Sequence, residues 1–473
     1  DETALIPGIL CSGESNFIEP DQLSPISVSD DDEFAGLFTR TRSSIISVDS
    51  STEAFSPLLT LFGTDHLTMI ALPLTNRNFE HIGLLCLLFR QADTLSSETE
   101  QASLSFIQAL SGFAAVTLES RQLLRMQEEL LNAFIKLIAG AIDAKSRYTG
   151  GHCQRVPEIT RLLAQAACDS SEAPFTDFTL SDKEWEALDI ASWLHDCGKV
   201  TTPEYVVDKA TKLETLYDRI HEVRMRFEVL KRDAEIDYWK KIADGGNAQQ
   251  LKQELASTLR QLDEDFAFVA ECNEGGEYMS EDRIQRLKNI AARTWTRTLD
   301  DSAGVSWEEA QRKSRSGQQA PPVEEPVLAD KPEHVIEREP HEHMPSDNPW
   351  GFKLDVPEHR YNRGELYNLS VGRGTLSAEE RYKINDHMTQ TIIMLEKLPY
   401  PKHLRDVPKI AGGHHETMDG KGYPRRLTRD DMSLPARMMA IADIFEALTA
   451  SDRPYKKAKT LSEAIRIMSF MRN

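Results

Sequence analysis

Apolar positions alternate early in the chain and then settle into a helical period. Ile45-Ile46-Ser47-Val48, Leu67 to Leu74 and Ile82 to Phe89 are short β-rich runs, and Thr75-Asn76-Arg77-Asn78 between the last two is a hairpin-turn sequence. Leu104, Ile107, Leu110, Ala114 and Leu118 then repeat at helical spacing, so strands followed by a helix predict an α+β unit. Residues 1 to 45 are rich in Ser, Asp, Pro and Gly and predict only short or irregular elements. Past Ser120 the helical pattern runs on through 121–145, where Val116, Leu123, Leu130 and Leu137, with Phe134 and Ala141 between, keep a 3-4 spacing. This stripe has two readings: a coiled coil pairing two protomers, or a face packed on its own domain. Gln127 at a core position counts against the coiled coil.

The remainder predicts helices. Val156, Ile159, Leu162 and Leu163 mark one; Ile190, Ala191, Trp193 and Leu194 mark the end of another, which stops at Gly198. Ser377 followed by Glu380 is a capping-box start for a helix through Ile384 and His387, and Met438 to Leu448 is an apolar helix holding one Asp, Asp443. Between these lies a long insertion at about 205–374. Its part 207–298 has helical periodicity (Leu216, Ile220, Val223, Phe227, Leu230), broken at Gly245-Gly246 and Gly275-Gly276, and suggests a helical hairpin. Its part 299–349 is rich in Pro, Glu, His and Gln and predicts a flexible linker. No apolar framework surrounds His334, His341 and His343, so they are not expected to form a metal site.

A length of 473 residues suggests two or three domains. The formal charge of -21 argues against a nucleic-acid polymer held by a broad basic surface, so a small anionic substrate would need metals, Lys and Arg nearby. Six scattered cysteines with no C-x-x-C spacing and no signal peptide read as free thiols in a reducing cytoplasm. The longest apolar run, Ile82 to Phe89, is far short of a transmembrane helix. A start at Asp1 rather than Met reads as a piece of a longer protein.

Candidate chemistry centres on His195-Asp196, delivered by the apolar lead-in. Imidazole nitrogen with carboxylate oxygen suits a first-row divalent ion, and Asp can bridge two ions. A second pair, His414-His415, supplies further ligands, and two such pairs suggest a two-metal centre. His195-Asp196-x-Gly198-Lys199 followed far downstream by His414-His415-Glu416-x-x-Asp419-Gly420-x-Gly422-Tyr423-Pro424 resembles the HD-GYP branch of the HD phosphohydrolases. Members of that family hydrolyse the bacterial second messenger cyclic di-GMP.

The resemblance implies a mainly α fold: an all-helical HD-type catalytic bundle at 130–473, interrupted by the insertion. It is preceded by a connecting signalling helix at 121–145. Residues 40 to 120 resemble the C-terminal half of a GAF sensory domain, which makes 1–120 a GAF-like α+β domain with an irregular or incomplete start. By resemblance, His152, His195, Asp196 and Asp443 hold one divalent ion and Asp196, His387, His414 and His415 the other, with Fe or Mn favoured and Zn, Co or Ni also fitting. Tyr148 stands where some relatives carry a Glu that supports a third metal, so two ions are expected. Asp196 and Lys199 are the catalytic candidates, Lys199 as phosphate clamp or proton relay. Arg437, Arg453 and Lys456 resemble positions that grip substrate phosphates, and Gly422 and Tyr423 form a lip. Tyr423 either contacts a guanine or a partner protein or serves only the turn. The implied function is hydrolysis of cyclic di-GMP to pGpG and onward to GMP under sensory control. The implied partners are a second copy through the connecting helix and a diguanylate cyclase (GGDEF) protein. The alternatives are a weakly active or inactive cyclic di-GMP sensor or scaffold, and an HD hydrolase of another cyclic dinucleotide or nucleotide.

Overall fold

The computed structural model describes residues 43–51, 55–89, 97–145, 151–276, 278–317, 320–345, 347–450 and 458–471, together with four two-residue strands near the start. Those strands, β1 (Ala4–Leu5), β2 (Leu10–Cys11), β3 (Phe17–Ile18) and β4 (Ile26–Ser27), pair as β1 with β4 and β2 with β3. The chain divides into two units, Asp1–Ala133 and Phe134–Asn473.

In the first unit, β5 (Ser44–Asp49), β6 (His66–Thr75) and β7 (His81–Phe89) form an antiparallel sheet in the order β5-β6-β7. Asn76 closes the hairpin, its side-chain oxygen accepting the amides of Asn78 and Glu80 at 2.9 Å. One face of the sheet packs on α1 (Ser56–Phe62), burying Val48, Leu67 and Met69 with Phe55 and Leu58. Then α2 begins, a single helix of 47 residues from Ser97 to Asp143 that runs on past Ser120. Leu123, Leu130 and Leu137 on it are 57 to 66 % exposed.

The second unit holds two cores. The main one takes Ile135, Ala139 and Ile142 from the end of α2 and packs them with α3 (His152–Cys168), α4 (Asp182–Leu194), α12 (Val407–Ala411) and α13 (Leu434–Thr449). A 3-10 turn, Cys197–Thr201, follows α4 and lies against α11 (Ala378–Glu396). Ser377 and Glu380 cap the start of α11 reciprocally, as their spacing predicts. Helices α5 (Glu204–Val207) and, last in the chain, α14 (Leu461–Met471) complete this part.

The second core belongs to the insertion. Its long helices α6 (Ile220–Ala243) and α7 (Ala248–Glu274) pack as a hairpin, and α8 (Glu281–Ala291) packs beside them around Val223, Phe227, Val269 and Leu287. The flexible linker expected at 299–349 is not found. That stretch contains α9 (Trp307–Ser314); β8 (Thr294–Arg297) pairs with β9 (Val323–Pro326), and β10 (Val335–Glu337) with β11 (His359–Asn362), ahead of α10 (Glu365–Leu369). Polar composition concealed an anchor: Val327 and Leu328 are fully buried in the insertion core, and ion pairs such as Arg297 to Glu325 at 2.7 Å hold the flanks. Among the described residues no helix is long and apolar enough to cross a membrane.

Candidate metal centre

The first candidate ligand, His152, opens α3. Gly151 precedes it at φ 85°, a left-handed conformation suited to glycine. No side chain of the helix caps this end. Asp143, the last residue of α2, does so instead, accepting the Gly151 and Cys153 amides at 3.2 Å. His195 and Asp196 stand where α4 gives way to the 3-10 turn, carried inward by buried Ile190, Ala191 and Leu194. Two contacts bring this turn to α11. Gly198 donates its amide to Thr391 Oγ1 at 2.9 Å, and a Cβ at Gly198 would lie 1.9 Å from the His387 carbonyl oxygen. His387 therefore faces Asp196 because position 198 has no side chain.

Three of the histidines share one local device. His195 Nδ1 donates to Ser192 O at 2.7 Å, His414 Nδ1 to Ala411 O at 2.7 Å, and His387 Nδ1 to Ile384 O. Each bond reaches back three residues. It fixes the tautomer with the proton on Nδ1 and leaves the Nε2 lone pair aimed inward. Asp196 sits between them: Oδ1 is 3.2 Å from His387 Nε2 and 3.8 Å from His414 Nε2, while Oδ2 is 3.2 Å from both His152 Nε2 and His195 Nε2. Asp443 Oδ1 lies 3.3 Å from His152 Nε2 and 4.0 Å from His195 Nε2.

These residues fit metal ions. Among the described residues Asp196 Oδ1, His387 Nε2 and His414 Nε2 are buried with no hydrogen-bond partner, a costly state for three polar atoms unless something else satisfies them. Ligand bonds of about 2.1 Å hold ligand atoms roughly 3–4 Å apart, the spacing seen here. Two groups could hold an ion, Asp196 with His387, His414 and His415, and Asp196 with His152 and His195; within each, the ligand atoms lie within 4.8 Å of one another.

Protonation agrees with this reading. Burial, helped by the neighbouring His195, pulls the His414 imidazole down to about 4, and burial with His414 pulls His415 well below its ordinary value, so both present lone pairs at neutral pH. At His152, burial alone would lower the imidazole, yet the carboxylates of Asp196, Asp443 and Glu446 outweigh it and push it up to about 11. So many anions around one proton are better balanced by a divalent cation.

Glu446 and Arg155 were not singled out in the sequence. Glu446 Oε2 accepts from His152 Nδ1 at 2.6 Å, and its other oxygen accepts from Arg155 Nε at 2.8 Å. A carboxylate behind a ligand histidine orients the ring and raises its basicity. The available signal was a second acid in the apolar α13, three residues after Asp443 and thus on the same helix face. Lys199 reaches the centre: its Nζ is 2.5 Å from Asp196 Oδ2. Burial would lower its ammonium, but Asp196 and Asp443 hold it above its ordinary value.

The loop after His415 is locked from within. Glu416, 5 % exposed, accepts the amides of Arg425 and Leu427 at 2.6 and 2.8 Å, and a Cβ at Gly422 would lie 2.3 Å from the Thr417 nitrogen. Tyr423 stacks on the His415 ring, centroids 4.8 Å apart. The end of the insertion braces this loop, with Lys353 N donating to Pro424 O at 2.7 Å, Arg425 Nε to Trp350 O at 2.8 Å, and Arg426 paired with Asp355 at 2.7 Å. Arg437 in α13 has a buried Nε with no hydrogen-bond partner among the described residues. Arg453, Lys456 and Tyr148 lie outside the described residues.

His341 and His343 fall outside both candidate metal groups, and His334 is engaged elsewhere, its Nδ1 accepting the Lys331 amide at 3.2 Å.

Comparison with known proteins bears on the same residues. A model of the HD domain matches residues 322–473, a span that holds His387, His414, His415 and Asp443 and leaves out His152, His195 and Asp196. The 3'3'-cGAMP-specific phosphodiesterase 1 of Vibrio cholerae is 52% identical over 95 residues, 20% of this chain and 21% of that one. A cyclic di-GMP phosphodiesterase of Pseudomonas aeruginosa is 54% identical over 56 residues, 12% of this chain and 13% of that one. A cyclic di-GMP phosphodiesterase of Thermotoga maritima is 39% identical over 93 residues, 20% of this chain and 25% of that one. Each match thus spans a quarter of the relative's length or less. Residues 322–473 carry an HD domain, and its histidines meet the His195-Asp196 turn in a cluster that could bind metal.

Proposed function

We propose that this chain is a binuclear metal-dependent phosphodiesterase of the HD-GYP type that opens a cyclic dinucleotide, cyclic di-GMP in the first place, to a linear product. The observation that carries the reading is Asp196, shared by two ligand groups, with its own Oδ1 and the Nε2 atoms of His387 and His414 buried and without a hydrogen-bond partner among the described residues. Bound divalent ions would supply Lewis-acid charge at a phosphodiester and lower the pKa of water beside it. His-rich ligation with carboxylate oxygen favours Fe or Mn, with Zn, Co or Ni also fitting.

The chain's own residues have separable parts in this reading. Asp196 bridges and Glu446 orients His152. Lys199, its side chain 26 % exposed, holds a positive charge at the rim for a phosphate oxygen or a proton. Tyr423, stacked on His415, fixes that ring and presents its outer edge to a base. Arg437 is the described candidate for a second phosphate contact.

The base is the open specificity. A second reading, an enzyme for the mixed guanine-adenine dinucleotide, rests on the 52% identity to the Vibrio cholerae relative. Sensory control by a GAF-like first unit is supported by its antiparallel sheet leading into α2. Pairing of two copies is supported by the exposed leucines of that helix.

The test is metal content and turnover on one anaerobic preparation, with Fe(II) and Mn(II) supplied in parallel and cyclic di-GMP and 3'3'-cGAMP as substrates. Two ions per chain with a linear dinucleotide product support the proposal, and the preferred substrate names the base. Two ions with tight nucleotide binding and no product would assign a sensor or scaffold instead, and failure to retain metal would overturn both.

A further inference from the structure

Beside the insertion core lies a cavity of about 560 Å³ that shares no residue with the metal centre. Its size is that of a small-molecule site. Seven cationic side chains and six carboxylates line it, a positive balance in a chain of net charge -21.

Most of that charge is internally paired. Arg226 holds both oxygens of Glu365 at 2.7 and 3.0 Å and lies 3.6 Å from Glu222. Arg297 and Lys331 hold Glu325 at 2.7 and 3.0 Å, and Lys313 holds Asp301 at 3.2 Å with Glu309 at 3.8 Å. Glu333 accepts from Ser316 Oγ at 3.2 Å.

Three guanidiniums remain without a carboxylate at ion-pair distance among the described residues. Arg219 spends donors on the Leu213 and Arg363 carbonyls at 3.2 and 2.6 Å, Arg312 spends one on the Glu333 carbonyl at 3.3 Å, and Arg363 lies 6.0 Å from the Tyr361 ring centre. Trp295 adds a fourth donor, a buried indole N–H with no acceptor among the described residues. The wall is therefore rich in donors that lack an anionic partner among the described residues, while Met225, Val229, Pro326 and Ile336 add apolar lining.

We propose that this cavity binds a phosphorylated small molecule of nucleotide size, its phosphate oxygens taken by Arg312, Arg363 and Arg219 and its ring system by the apolar lining side chains. Forked guanidiniums match phosphate oxygens in pairs, and a planar ring suits the apolar side chains of the lining. The proposal stands independently of the reading of the metal centre. Occupancy also has a short covalent route to that centre, because Arg363 precedes α10 and α10 leads directly into α11, which carries His387.

Isothermal titration of the full chain, stripped of metal, with GMP, AMP and inorganic pyrophosphate tests it. Saturable binding of a mononucleotide is expected. Arg312→Gln with Arg363→Gln should weaken it roughly tenfold or more, as loss of charge-assisted bonds does. Asp196→Asn should leave it intact, which separates this cavity from the metal cluster. Should the double variant fail to fold by circular dichroism, Trp295→Phe, which removes the indole N–H together with the five-membered ring and keeps an aromatic side chain, decides in its place with a smaller loss. Unchanged affinity in the folded arginine or tryptophan variants, binding abolished by Asp196→Asn, pyrophosphate binding with no mononucleotide binding, or no binding at all would each overturn the assignment.

Discussion

Gly198→Ala is the sharpest single perturbation of the centre, because it changes no ligand and no charge. A Cβ at that position would stand 1.9 Å from the His387 carbonyl oxygen and 2.6 Å from the Thr391 nitrogen, both backbone atoms of α11. Ordinary contact needs about 3.5 Å, so the 3-10 turn and α11 must separate by roughly 1.5 Å. Asp196 Oδ1 and His387 Nε2, now 3.2 Å apart, sit across that gap. Widened by the same amount, they exceed the roughly 4.2 Å that two ligand bonds of about 2.1 Å can span. One ion then loses a ligand, while His152, His195 and Asp196, none of them on α11, stay together. Overpacking itself should cost about 1–3 kcal/mol, which lowers Tm without unfolding the chain. Metal content after dialysis, measured by plasma mass spectrometry, should fall from two ions toward one. Gly372→Ala is the control, since a Cβ there meets nothing within 4 Å. A Gly198→Ala protein that holds both ions as tightly as the parent would refute the packing argument.

Four further outcomes are expected. Glu446→Gln should leave the fold intact and weaken metal binding about 10–100-fold by depriving His152 of its anionic partner, read from a competition titration with a chelator. His334 is held down to about 4 by burial, below the 6.5 of the unfolded chain. The unfolded state therefore binds more protons between those values, so the insertion is most stable above pH 6.5 and loses up to about 3 kcal/mol as pH falls toward 4. Urea midpoints across that range should show the slope, and His334→Gln should flatten it. Glu416→Gln leaves the amides of Arg425 and Leu427 with a weaker acceptor, which should raise hydrogen exchange across 416–427 with a loss of about 1–3 kcal/mol. Leu130→Glu with Leu137→Glu should convert a dimer to a monomer in light scattering at unchanged helix content; a parent that is already monomeric would remove the pairing reading.

Much of the centre could be read before any coordinates. Adjacent ligand pairs, a glycine after His195-Asp196 and an Asp alone in an apolar helix each have a local cause, and the structure brings those side chains together. What stayed hidden depends on contacts made at long range. Glu446 meets His152 across almost three hundred residues, and Asp143 meets the amides of Gly151 and Cys153 across a helix junction, so neither role shows in the local sequence. The stretch 299–349 misled for a related reason. Some of its ion pairs join residues more than twenty positions apart, as Arg297 with Glu325 and Arg315 with Glu337, so composition recorded the charges but not their neutralisation. The cavity beside the insertion core was invisible for the same cause, since its three unpaired guanidiniums are distinguished only by what the other cations already hold.

The Asp143 cap gives the long helix a mechanical meaning. The carboxylate that ends α2 grips two amides on either side of His152 through hydrogen bonds of 3.2 Å, near the limit of useful length. A shift of α2 along its axis by a single residue is about 1.5 Å, more than such bonds can stretch. The helix therefore cannot slide without either dropping the amides or towing the first ligand with it. Asp143 works as a latch between a 47-residue rod and one imidazole, and hydrogen bonds hold it shut.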